Sequence, residues 1–75
     1  MEIYANLSGD SGVSAYQIGS DSIWVEFTSG SLYEYTYSSA GAGNIETMKS
    51  LAIAGCGLCS FIQRNVRENY ARKIT

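Results

Sequence analysis

Two consecutive segments with alternating side chains, joined by a glycine turn, constrain this chain more than any other feature. Residues 22–28 alternate β-branched or aromatic residues with others, and residues 32–37 place a tyrosine at every second position. Alternation with period two is typical of β-strands, and the intervening Ser29-Gly30-Ser31 is typical of a hairpin turn. The sequence therefore predicts an antiparallel hairpin at the centre of a sheet.

The register of this hairpin decides which face the tyrosines occupy, because a shift of one residue moves every side chain to the other face. One register pairs Phe27 with Leu32, turns the tyrosines outward and points Glu34 into the core, where an unpaired carboxylate is costly. The favoured register pairs Phe27 with Tyr33. It predicts three tyrosines facing the core, namely Tyr33, Tyr35 and Tyr37.

Three further segments complete the predicted fold. Residues 13–18 have the pattern of a strand that precedes the hairpin. Residues 44–54 and 58–74 carry apolar residues at spacings of three and four, which predicts two amphipathic helices. We expect one α+β domain over residues 13–75, with a three-stranded antiparallel meander followed by two helices packed on one face of the sheet. Residues 1–12 are predicted to be an extended lead that ends in a flexible turn.

Charge is divided unevenly along the 75 residues. Seven acids and five bases give a net charge of −2, but six of the acids precede the first base, Lys49. The C-terminal third is therefore cationic and suits an anionic partner. Histidine is absent and the carboxylates are scattered, so no nucleophile with a positioned base stands out. The sequence indicates a protein without catalytic activity and without a cofactor.

An ordered set of segments resembles the KTSC domain, which is named for its occurrence at the C-terminus of some lysyl-tRNA synthetases. Small stand-alone bacterial and phage proteins also belong to that family. The chain departs from the family pattern at Cys59, where a polar helix cap is expected, and it lacks a Val-Pro pair after the second tyrosine. The matching segments, within residues 11–75, are Val25-Glu26-Phe27-Thr28-Ser29-Gly30, Tyr33-Glu34-Tyr35 and Gly57-Leu58-Cys59-Ser60-Phe61-Ile62 through Tyr70. The resemblance implies a small α+β fold and, through the synthetases, suggests RNA binding.

The N-terminus and basic face of the second predicted helix are the expected binding site. Free amides and the positive end of the helix dipole favour an anion, and nearby arginines can contact phosphate. The same glycines also suit a tight turn between helices, and surface arginines are commonly only solvated. We expect an anionic ligand, RNA or a nucleotide. The predicted contact residues are Gly57, Leu58, Cys59, Ser60, Arg64, Arg67, Tyr33 and Tyr35.

The sequence also suggests two other functions. Trp24 and Leu32 are the large apolar residues expected on the outer face of the sheet, which predicts an alternative protein-interaction or self-association surface. Cys56 and Cys59 form a C-x-x-C pattern at a helix start, which would suit redox exchange. The pattern follows a helix instead of a strand, so ordinary thiols are the default interpretation.

The sequence offers no metal site and no membrane segment. Two cysteines without histidine fall short of the four ligands of a structural zinc site. No basic leader and no long apolar run are present, so the predicted location is cytoplasmic.

Overall fold

A computed structural model of the protein describes residues 1–7, 9 and 12–75. The protein is a small α+β domain with an antiparallel sheet and helices. Its strands are β1 (Glu2–Ile3), β2 (Val13–Ile18), β3 (Ser22–Phe27), β4 (Leu32–Thr36) and β5 (Arg72–Lys73). Its helices are α1 (Tyr37–Ala40), α2 (Ala42–Ala54) and α3 (Leu58–Phe61), and α3 continues as a π-helical segment (Ile62–Val66).

The sheet is wider than the predicted three-stranded meander. Within the described residues it has five strands in the order β1-β2-β3-β4-β5, and each neighbouring pair is antiparallel. Strand β1 lies in the predicted lead and pairs Glu2 with Tyr16. The turn predicted over residues 8–12 falls largely on Ser8, Asp10 and Ser11, which lie outside the described residues.

In the β3–β4 hairpin the side chains occupy the predicted faces of the sheet. The residues that lie opposite each other across the two strands differ from the prediction. Val25 lies opposite Tyr33, and the Phe27 amide donates to the Ser31 carbonyl at 2.8 Å, so the loop is residues 28–30. Gly30 has a φ of 96°, the left-handed conformation that closes such a three-residue loop. The pairing of Phe27 with Tyr33 was therefore wrong by two residues. A shift of two keeps each side chain on its face, and Tyr35 is only 1% exposed.

Tyr37 does not continue the strand as predicted. The Thr36 side chain accepts a hydrogen bond from the Ser39 amide, and the Ser39 hydroxyl bonds back to the Thr36 backbone, forming a capping box. This cap starts α1 at Tyr37 and leaves the tyrosine 37% exposed. The prediction that Tyr37 faces the core was wrong because a local cap competes with strand extension.

The helices contribute buried residues to the same core as strands β3 and β4. Helix α2 ends at Ala54, as the spacing predicted, because Gly55 adopts a left-handed conformation and its amide bonds to the Leu51 and Ala52 carbonyls. One continuous core joins the sheet to the helices. Its fully buried members include Ile23, Val25, Tyr35, Ile45, Met48, Leu58, Ile62 and Val66.

The second predicted helix is shorter than residues 58–74. Helical structure ends at Val66, the Asn69 amide donates to the Val66 carbonyl at 2.8 Å, and the chain turns back to the sheet. Strand β5 then pairs Arg72 with Glu34 and Lys73 with Tyr33. The helix prediction was wrong here because apolar residues at spacing four can be buried against a strand as well as on a helix face.

Candidate ligand-binding pocket

An open pocket of about 450 Å³ lies between the β3–β4 hairpin and the helical segment that follows α2. We call it the aromatic pocket. The hairpin brings its loop to one side, the helical segment forms the other, and the chain after Val66 closes one end. Its lining residues are Gly12, Phe27, Thr28, Ser29, Ser31, Tyr33, Tyr35, Cys59, Ile62, Gln63, Arg67, Glu68 and Tyr70.

Four rings in mutual contact form the apolar wall of the aromatic pocket. Phe27 and Tyr33 meet edge to face, with centroids 5.7 Å apart and planes at 75°. The Tyr70 ring lies 4.7 Å from that of Tyr33 and 6.3 Å from that of Tyr35. These distances lie within the range of favourable aromatic pairs. The wall is therefore held in place by its own ring contacts.

Tyr35 forms a neutral part of this wall. Burial, followed by the neighbouring Tyr33, Tyr70 and Cys59 groups, raises the pKa of Tyr35 to about 12. Its phenol is therefore protonated throughout the neutral range, since the charged form is disfavoured by desolvation. Tyr35 therefore adds a ring and a neutral hydroxyl group to the wall, without a charge.

Both signs of charge occur at the rim. Arg67 and Glu68 line the aromatic pocket and are exposed, and within the described part of the chain neither side chain has a hydrogen-bond or ion-pair partner. Lys73 places its Nζ 5.9 Å from the centre of the Tyr33 ring. Because no partner among the described residues neutralises Arg67 or Glu68, both groups are available to a ligand.

Hydrogen bonds on the opposite face of the sheet hold β5 in position, and with it the end of the pocket. The Glu34 carboxylate accepts hydrogen bonds from Trp24 Nε1 at 3.0 Å and from Arg72 Nε at 2.8 Å. These bonds, in that order, hold the pKa of Glu34 below its usual value. The Glu34 carbonyl also accepts from the Ala71 amide at 2.6 Å. Tyr70 is thus anchored through the residues that follow it.

The pocket contains some of the residues predicted from the sequence and excludes others. Tyr33, Tyr35, Cys59 and Arg67 come together in it. The remaining predicted contacts lie outside it, namely Gly57, Leu58, Ser60 and Arg64.

The predicted anion site at the second helix start is partly occupied by the protein itself. Leu58 is completely buried, and its amide donates to the Tyr4 hydroxyl at 3.2 Å. Helix α3 has only four residues before the π-helical segment begins. The amide predicted to face a ligand therefore stabilises the contact between the helix and the lead.

Sequence reasoning missed several pocket residues. The favoured hairpin register gives Phe27 a place only on the core face, although it also borders the pocket. The amphipathic pattern over residues 58–74 puts Gln63 and Glu68 on the polar face of the predicted helix and Tyr70 on its apolar stripe. The spacing of four between Val66 and Tyr70 gives no sign of a chain reversal. The pairing of β5 with β4 brings Tyr70 to Tyr33.

The two residues predicted for an outer-face interaction surface differ in exposure. Leu32 is only 8% exposed, because the C-terminal strand runs alongside it and the Ile74 amide bonds to its carbonyl at 2.7 Å. Trp24 is half-buried, and its indole N–H is bonded to Glu34. Ile3, which pairs with Ala15 and shares this face, is 85% exposed. The exposed apolar group on this face therefore comes from β1.

The structure also places the two thiols. Cys56 is exposed and Cys59 half-buried, and both are free. Cys59 contributes to the pocket while Cys56 does not. Among residues 1–7, 9 and 12–75, no group of three or more His, Cys, Asp or Glu side chains could hold a metal ion. No helix in the same ranges is long and apolar enough to cross a membrane.

Comparisons of the chain with models of known families, with curated proteins and with solved structures gave no match. The resemblance to the KTSC domain therefore stays a prediction.

Proposed function

We propose that this protein is a non-catalytic binding module that recognises a nucleotide, either free or as an unpaired nucleotide of RNA, in the aromatic pocket. The observation that carries the proposal is the wall of four contacting rings with Arg67 at its rim, which has no partner among the described residues. Nucleotides combine a planar base with a phosphate, so they match a surface that offers aromatic rings beside a cation.

The base is assigned to the aromatic wall. Stacking of a base on an aromatic side chain contributes about 1–3 kcal/mol to binding, and it is available to any base because each has a π-face. A volume of about 450 Å³ also falls within the ordinary range for small-molecule pockets. The exposed side of Tyr70 and the hairpin residues Thr28, Ser29 and Ser31 leave room and polar groups around the stacked ring.

The phosphate is assigned to Arg67. Its guanidinium has five donors in a planar fork that matches phosphate oxygens, and no carboxylate of the described residues already engages it. Lys73, above Tyr33, adds a second positive charge to the same region. The protein as a whole carries a charge of −2, which favours a short ligand over a long polyanion.

The test uses two arginines of the same helical segment. Arg67→Ala should weaken the binding of a nucleoside monophosphate by about tenfold, since a charge-assisted bond to phosphate contributes about 1.5–3 kcal/mol. Arg64→Ala is the matched control, because Arg64 is also exposed but lies outside the pocket. Isothermal titration calorimetry with GMP and AMP measures both effects.

Equal losses in the two variants would place the phosphate on a general basic face of the helix instead of in the pocket. Unchanged binding in Arg67→Ala, or no binding by the unmodified protein, would reject the proposal. Circular dichroism of each variant shows whether the fold is retained.

The alternative function, a protein-interaction or self-association surface around Trp24, has less support. Leu32 is covered and the Trp24 N–H is occupied by Glu34, so the two predicted anchors offer little free surface. Nucleotide recognition in the aromatic pocket is therefore the function that the geometry favours.

A further inference from the structure

Among the residues that the structure describes, Glu68 is the one acid that lines the aromatic pocket. It is exposed, and no hydrogen bond or ion pair within the described residues uses its carboxylate. A carboxylate beside four aromatic rings repels phosphate, so it would weaken nucleotide binding unless it meets hydrogen-bond donors of the base. Its position therefore bears on which base the pocket accepts.

Arg67 and Glu68 offer a ligand two different kinds of contact. They are adjacent in the chain and both border the pocket, one with a guanidinium that only donates hydrogen bonds and the other with a carboxylate that only accepts them. A ligand with an anion at one end and donors at the other satisfies both.

Among the common bases, guanine alone presents two adjacent donors, N1–H and the N2 amino group, on one edge. An ionised carboxylate only accepts hydrogen bonds and has two oxygens at matching separation. Adenine and cytosine place an acceptor nitrogen beside their amino group, and uracil has its one donor between two carbonyls. Each of these would set a lone pair against the carboxylate and lose a hydrogen bond that guanine makes.

We propose that Glu68 selects guanine, so that the aromatic pocket binds guanine nucleotides in preference to those of the other bases. This inference rests on the proposed function. Glu68 accepts from guanine N1–H and N2–H while the ring lies against the aromatic wall, and Arg67 holds the phosphate. In RNA the same contacts would be made by an unpaired guanosine.

The test compares three monophosphates by calorimetry: GMP, IMP and AMP. GMP should bind about tenfold or more tightly than AMP, as expected for one good bidentate pair. IMP, which keeps N1–H but lacks the N2 amino group, should fall between them. Glu68→Gln should narrow or reverse the GMP-to-AMP ratio, because the amide offers one donor and one acceptor. Glu2→Gln, in β1 and outside the pocket, is the control and should leave the ratio unchanged.

The outcomes separate the two proposals. If GMP and AMP both bind, depend on Arg67 and differ less than twofold, the choice of guanine is overturned and the nucleotide pocket stands. A preference for GMP that persists in Glu68→Gln removes the assigned role of Glu68. If none of the three binds, both proposals fail. A guanosine-containing tetranucleotide, compared with one of adenosine alone, shows whether an RNA source behaves as the free nucleotide does.

Discussion

Gly55 joins the end of helix α2 to the N-terminal lead. Its φ of 79° is left-handed, and its carbonyl accepts a hydrogen bond from the Leu7 amide at 2.7 Å. A Cβ placed there would lie 2.6 Å from the Cβ of Ala5, closer than packed carbon atoms allow. The residue is thus constrained both by its backbone conformation and by a neighbour that belongs to the lead.

We predict that Gly55→Ala lowers the free energy of unfolding by about 2 kcal/mol, since left-handed strain and overpacking each cost about 1 kcal/mol or more. Gly43→Ala is the control. Gly43 lies in α2 with open space around its Cβ position, so alanine there should stabilise by about 0.5 kcal/mol or more through helix propensity. Urea denaturation of the two variants measures both values, and equal effects would contradict the prediction.

At the scale of elements, β5 connects the two faces of the sheet. Its backbone pairs with β4, its neighbour Tyr70 enters the aromatic pocket, and Arg72 reaches Glu34 on the far side. The lowered pKa of Glu34 comes from Trp24 first and Arg72 second. A carboxylate whose pKa is lower in the folded than in the unfolded protein stabilises the fold at pH values above its unfolded pKa. That stabilisation is lost as the pH falls through the folded pKa.

We therefore predict that Glu34→Gln destabilises the protein at pH 7 by about 1 kcal/mol or less, because the ion pair is near the surface. Below the ordinary carboxyl pKa of 4.5, the variant should lose stability less steeply than the unmodified protein. Some decline should remain, since Tyr37 and Lys49 lower the pKa of Glu46 as well. Urea denaturation between pH 7 and pH 3 is the measurement, and parallel pH profiles for the two proteins would contradict it.

The elements differ in how far the sequence determines them. Alternation predicted β3 and β4, and the cost of burying Glu34 predicted which way Tyr35 faces. Neither argument distinguishes registers that differ by two residues, because both leave the same faces buried. The spacing of Ile45, Met48 and Ala52 located α2 to within two residues of its start.

The two edge strands and half of the pocket could not be predicted in this way. Strands β1 and β5 have two residues each, too few to show a period. The position of Tyr70 in the sequence fits the apolar face of a helix as well as a chain that turns back to the sheet. Only its ring contacts with Tyr33 and Tyr35 distinguish these two structures. Glu68 likewise gains its position from where the helix ends. These features depend on tertiary contacts that a local pattern does not encode.

At the scale of the whole molecule, few cations lie near the aromatic pocket. Arg67 lines the aromatic pocket and Lys73 lies over the Tyr33 ring, while the described acids of the first half do not line the pocket, on a protein with net charge −2. Few phosphates can therefore be neutralised at once. The arrangement suits one or two nucleotides and disfavours a long electrostatic track.

We predict a shallow salt dependence for binding of a short single-stranded RNA. With two phosphates neutralised, the logarithm of the association constant should fall with the logarithm of salt concentration with a slope of about −1.4. Fluorescence anisotropy of a labelled tetranucleotide, measured from about 50 to about 200 mM salt, gives this slope. A slope several times steeper would mean that Arg64 and other cations outside the pocket also contact phosphate.

The pairing of Tyr33 with Lys73 joins positions forty residues apart, with all the helices between them. The hairpin part of the aromatic wall can form from contacts that are local in sequence. The contacts of Tyr70 with the hairpin require closure of this long loop, and contacts of this kind cost more entropy and form more slowly. The complete pocket therefore exists only in the fully folded chain. A ligand that needs both walls binds the folded state alone, so by mass action it should raise the stability of the whole domain.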